Sequence, residues 1–253
     1  MMFLSRNELK LTYGIDLDIG KAYVDRAVPE GNLYWSGRKL YITPVSGYLF
    51  LPIFADLAFR CGIPRSLLLS DQAFQLAEQV LHSAMKLEKG MVSWEGHVAE
   101  CREAATPQAR NPVLLDDLCH YFSGKPAPTG FSYGTEFRSL NRADTYLFYL
   151  TLFEFDRDVH QRLLDAWYAM ITYFLIMDDL ADIRSDFEQQ EENAFLDAGL
   201  HEAGIQRIVT MIDDAHDKML RVNPVMANRI DYKRSTVDIR AMVASLSNNQ
   251  RLS

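Results

Sequence analysis

Cysteine is scarce in this 253-residue chain, and the three that occur, Cys61, Cys101 and Cys119, are odd in number and widely spaced. That pattern excludes a disulfide framework and a clustered-thiolate zinc site, and it reads as free thiols in a reducing cytoplasm. Positive charge is also in deficit: the formal net charge is -8, and the basic residues are scattered. A duplex-binding protein presents a basic face, so nucleic acid is not expected as a partner. Long apolar runs are missing. The most apolar stretches, near Val45–Phe59 and Tyr168–Met177, are too short or too interrupted to span a bilayer, so no transmembrane segment is expected. The first ten residues lack a long apolar stretch behind a basic flank, and no secretory leader is expected. Strand alternation is absent except for a short stretch around Tyr34–Ile42. There is no GxxxxGK[ST] loop, no nucleophile elbow, and none of the six histidines pairs with another at metal spacing.

What is present is helical periodicity over a hydrophobic fraction of 48%, enough for a sizeable core. Residues 1–35 carry no clean period and are read as an irregular N-terminal segment. Residues 36–247 are read as a helical bundle domain and 248–253 as a polar tail. Within the bundle, apolar residues at steps of three and four predict a helix ending at Cys61-Gly62, with Pro52 as a kink. Ser70 is placed to cap the next helix, whose apolar face is Phe74, Ala77, Leu81, Ala84 and Leu87 and whose end is Gly90. Glu95–Gln108 is a polar stretch. Pro112 opens another apolar segment, and residues 123–134, with three glycines and two prolines, form the clearest loop. Asp156–Asp158 can cap a helix running from Val159 towards Asp182, and Ile205–Leu220 is read as the last strong amphipathic helix.

The chemistry concentrates at Asp178-Asp179-Leu180-Ala181-Asp182. At about 3.6 residues per turn, Asp178 and Asp182 share a helix face and Asp179 flanks them. The preceding run, Tyr173-Phe174-Leu175-Ile176-Met177, is apolar. Carboxylates beside such a run are costly unless a cation offsets them. Mg²⁺ favours oxygen ligands and commonly bridges one or two carboxylates to substrate phosphates. The alternative is a solvated helix end with its acids on show. A second copy, Asp213-Asp214-Ala215-His216-Asp217, is read as mostly surface. Asp116-Asp117 can face a cavity or favour a helix N-terminus. The aromatic stripe Tyr146, Phe148, Tyr149, Phe153 and Phe155 suits either a tunnel for an apolar chain or plain core.

Phe174 to Asp182 resembles the second aspartate-rich motif, FQxxDDxxD, of the trans-isoprenyl diphosphate synthases. The likeness extends loosely over residues 36 to 230. Ser36-Gly37-Arg38-Lys39-Leu40 looks like an altered Gly-Gly-Lys-Arg-Leu-Arg-Pro segment, and Leu81-His82-Ser83-Ala84 resembles the stretch before the first motif. Asp144-Thr145 stands where the family has Lys-Thr. The resemblance implies an all-α single bundle of the terpenoid-synthase kind. It implies Mg²⁺ on Asp178, Asp179 and Asp182, which are then both catalytic and metal-binding. An allylic or prenyl diphosphate is contacted by Arg38, Lys39, Thr145 and Phe174. The activity implied is prenyl transfer or terpene synthesis; the alternative is a non-catalytic binding or regulatory partner of a prenyl diphosphate synthase, as a homodimer or heterodimer. The chain departs from the family where the first DDxxD belongs. It has Lys86-Leu87-Glu88-Lys89-Gly90 there, so Glu88 is the acid placed to carry any first-site role, and Lys86 and Lys89 are either surface groups or direct cations for a diphosphate.

Overall fold

The computed structural model describes residues 6–27, 29–34 and 47–250. All regular structure among them is helical, with no strand, and no helix is long and apolar enough to cross a membrane. The possible strand at Tyr34–Ile42 lies mostly outside the described residues. The chain divides into two compact units, Met1–Tyr133 with Asp144–Leu163, and Gly134–Ala143 with Leu164–Ser253.

In the first unit, the segment expected to be irregular holds two helices, α1 (Arg6–Tyr13) and α2 (Leu17–Asp25). Asp16 caps α2 by accepting from the amides of Asp18 and Ile19. α3 (Gly47–Arg60) runs through Pro52, and the chain leaves it at Gly62, whose φ of 114° suits glycine. A single turn, α4 (Arg65–Leu68), leads to α5 (Asp71–Glu88), where Ser70 caps as its position in the sequence predicts. The polar stretch after Gly90 is a helix, α6 (Trp94–Ala105), which buries only His97, Cys101 and Ala105. Its single narrow buried face explains the lack of an apolar period. α7 (Pro112–Phe122) has proline at its first position behind an Asn111 cap.

Asp144–Leu152 is a nine-residue 3₁₀ helix with every side chain buried. Runs of this type longer than three or four residues are uncommon. This one packs against α5, α6 and α7, with its polar first residues Asp144 and Thr145 hydrogen-bonded to Tyr121 and His97. Four of the five residues of the aromatic stripe, Tyr146, Phe148, Tyr149 and Phe153, are core, while Phe155 is half-buried: Phe148 stacks on Phe122 at 5.4 Å, and Tyr149 meets Phe153 at 5.2 Å. Asp117 is fully buried on α7. It accepts from the Thr129 amide at 3.1 Å, from the Thr129 hydroxyl, and from the Tyr133 hydroxyl at 3.0 Å, so one carboxylate pins the 123–134 loop.

α8 (Arg157–Gln189) opens on Asp156, which accepts from the Val159 amide. It runs seven residues beyond Asp182, so the aspartate motif lies inside the helix rather than at its end. Its residues from Leu164 on belong to the second unit. Gln190, at φ 59°, stops the helix. Asn193 caps the short α9 (Ala194–Ala198), and His201 caps α10 (Glu202–Val222). Two further helices follow the one read from sequence as the last strongly amphipathic helix: α11 (Pro224–Ser235) and α12 (Ile239–Gln250). Helix α12 thus extends into the expected polar tail. In this unit α10 packs on both α9 and α11.

Candidate binding sites

The buried stripe of α8 in the second unit passes through Thr172, Ile176, Leu180 and Ile183. Asp179 and Asp186, seven apart, fall on that stripe and are buried, at 2% and 9% exposure. Asp178 and Asp182 fall on the opposite side and are exposed. The motif is thereby split. Arg142 Nη2 donates to Asp179 Oδ1 at 2.7 Å and stands 3.6 Å from Asp178 Oδ2, and its Nη1 donates to the Ser139 carbonyl at 2.9 Å. The Ala194 amide donates to Asp179 Oδ2 at 2.7 Å. Both Asp179 oxygens are thus engaged, one by a guanidinium and one by the first turn of α9. Burial pushes the Asp179 carboxyl up from its ordinary value, with Arg142 and the Ala194 amide opposing.

Asn193 completes this arrangement. It is fully buried, and its Nδ2 donates to the Asp179 carbonyl at 2.7 Å and to Asp186 Oδ2 at 2.8 Å. Its Oδ1 accepts from the Phe195 amide at 2.9 Å. The turn after α8 is therefore folded back on the helix through Asp179, Asp186 and Asn193. Arg142 and Asn193 carry no motif and were not singled out from sequence. The signal available was two aspartates on an apolar stripe, which demands buried partners.

Other residues expected at a site are dispersed. Phe174 is half-buried, with its ring edge-on to Tyr173 at 5.5 Å. Thr145 belongs to the first unit and is fully buried, so it is not available to a solvent-borne substrate. Arg38 and Lys39 lie outside the described residues. Glu88 and Lys89 are exposed at the end of α5, while Lys86 pairs with Glu100 at 2.9 Å. In the second aspartate copy, Asp213 pairs with Arg234, and Asp214 and Asp217 are exposed. Among the described residues no three His, Cys, Asp or Glu side chains are gathered as a metal-holding group.

A second polar centre lies inside the first unit. Ser83 Oγ donates to Glu100 Oε2 at 2.6 Å. Since a hydroxyl donates once, His97 Nδ1–H donates to Ser83 at 2.8 Å, and the Thr145 hydroxyl donates to His97 Nε2 at 2.9 Å. The chain of donors runs from Thr145 through His97 and Ser83 to Glu100, where Lys86 meets the other oxygen. Burial pushes His97 down to about 4, so the ring is neutral at pH 7. This network joins two of the stretches that carried the resemblance, at Ser83 and Thr145, as interior scaffolding. No family model, no curated protein and no solved structure matches the chain.

Proposed function

We infer that the protein binds a prenyl diphosphate as its Mg²⁺ complex, through Asp178 and Asp182, in a bundle of the terpenoid-synthase kind. The observation that carries this reading is the exposed pair of carboxylates one helical turn apart beside the Arg142 guanidinium. A like-charge pair at this spacing costs a few tenths of a kcal/mol on an isolated helix. A hard dication shared with phosphate oxygens offsets that cost and needs only one or two protein carboxylates. Asp178 and Asp182 would hold the ion, whose chemistry is neutralisation of the diphosphate. Asp179 is not in this set, because Arg142 and the Ala194 amide occupy its oxygens.

With Asp179 withdrawn and no first aspartate motif in the sequence, the acids needed to neutralise a departing pyrophosphate are too few. The reading therefore favours a non-catalytic partner of a prenyl diphosphate synthase over a transferase acting on an allylic diphosphate. Calorimetry with geranyl diphosphate and Mg²⁺ tests it. A saturable heat is expected in the wild type, with affinity at least tenfold weaker, about 1.4 kcal/mol, in Asp178→Ala/Asp182→Ala. Identical titrations for the two proteins contradict the site. Incubation with isopentenyl and geranyl diphosphates should yield no extracted product; turnover lost on Asp179→Asn would restore the enzymatic reading.

A further inference from the structure

The first unit contains a cavity of about 440 Å³, within the range of about 300–1,000 Å³ typical of small-molecule sites. Its deepest polar groups are Glu78 and Ser83 of α5, and Glu100 of α6 stands beside them. Gln75, Gln79 and His82 line the α5 wall, and the turn ending in the buried ring of Tyr34 closes the other side. The two carboxylates are already neutralised from within the protein. Arg26 holds both oxygens of Glu78, Nε on Oε1 at 2.8 Å and Nη2 on Oε2 at 3.0 Å, and is itself fixed over the Phe74 ring at 4.2 Å. Glu100 is held by Ser83 on one oxygen and Lys86 on the other.

This pairing decides the kind of ligand. With Glu78 and Glu100 each paired, an anion meets no uncommitted cation among the described lining residues, since Lys86 is held by Glu100, and it meets the further negative charge of Glu30. A metal ion meets two carboxylates whose charge is cancelled and Glu30 alone beside them. Glu78 Oε2 and the two Glu100 oxygens, each met by one donor, retain a spare lone pair as an acceptor for O–H donors. The Gln75 and Gln79 amides, one turn apart on α5, add both donors and acceptors, and Pro29 and Tyr34 add an apolar surface suited to C–H groups.

We propose that this cavity binds a neutral ligand presenting vicinal hydroxyls, a monosaccharide or the ribose of a nucleoside, with Glu78, Glu100 and Gln79 as its polar contacts. It is independent of the diphosphate reading, because the residues involved are different. Saturation-transfer NMR on the whole chain with D-glucose and adenosine as separate probes, and ³¹P line broadening with inorganic pyrophosphate, test it. Saturable binding of D-glucose or of adenosine is expected, and which one binds identifies the source of the hydroxyls. Gln79→Ala, an exposed substitution on a well-formed helix, and Glu100→Gln should each weaken that binding at least fivefold. Asp178→Ala/Asp182→Ala should leave it unchanged. Binding of pyrophosphate alone, no saturable binding at millimolar concentration, or affinity untouched by both cavity variants overturns the proposal.

Discussion

Replacing Arg142 with alanine tests whether Asp179 is a structural anchor. The guanidinium is the only cation paired with Asp179 among the described residues, and the carboxylate is 2% exposed. Removing one partner of a buried pair typically costs about 3–5 kcal/mol, because the other charge stays desolvated. Arg142 itself is 30% exposed, and the Ala194 amide still donates to Asp179, so the lower end, about 3 kcal/mol, is expected. The pH dependence gives a second check. The Asp179 carboxyl is raised in the folded state by burial, and Arg142 opposes that rise. The folded protein therefore binds this proton more tightly than the unfolded chain, and the group's contribution falls as pH rises through the carboxylate range. Without Arg142 the rise is larger. The variant's deficit should be greatest at pH 7 and should shrink as the solution is acidified towards pH 5. Urea unfolding of both proteins at the two pH values measures this. A deficit below about 1 kcal/mol at pH 7, or one that grows on acidification, refutes the anchoring role and returns Asp179 to the candidate ligands.

His97 is buried as the neutral ring at a position pushed down to about 4, so stability is lost as pH falls from about 6.5 towards 4, by about 3 kcal/mol in total. The difference in urea midpoint between wild type and His97→Gln should narrow over that window, and a constant difference contradicts it. Asp117→Ala leaves the Thr129 amide and hydroxyl without their acceptor and frees the Tyr133 hydroxyl to turn to His160 alone, at about 3 kcal/mol; chymotrypsin should then cut after Phe131 faster, and an unchanged rate would count against the loop being pinned there. A Cβ at Gly204 would collide with the carbonyl oxygens of Ala198 and Gly199, so Gly204→Ala should lower stability by about 2 kcal/mol or more, read as a drop in melting temperature; an unaltered melting curve excludes the clash.

The helices with a wide apolar face were legible in the sequence. Ser70 and Gly90 bound α5, and Pro112 opens α7, because caps and glycine exits are written in single residues. α6 was not legible, since only His97, Cys101 and Ala105 turn inward over its length. The 3₁₀ helix at 144–152 is buried on every side, so periodicity could not distinguish its type. At the candidate site, the i, i+4 rule paired Asp178 with Asp182 as the structure has them. The same spacing places Asp179 in register with Ile176, Ile183 and Asp186 on the buried stripe, and reading the acids as one cluster obscured that. Arg142 is 37 positions from Asp179, so their pairing is a property of the fold that no local pattern announces.

The most direct test of the account is Mn²⁺ electron paramagnetic resonance with the ion standing in for Mg²⁺ and geranyl diphosphate present. Wild type and Asp179→Asn should both add to the loss of the free-ion signal beyond that caused by the diphosphate alone, and Asp178→Ala/Asp182→Ala should not. An equal effect in the double variant, or loss of the effect in Asp179→Asn while its fold is kept, would contradict the assignment of the ion to Asp178 and Asp182.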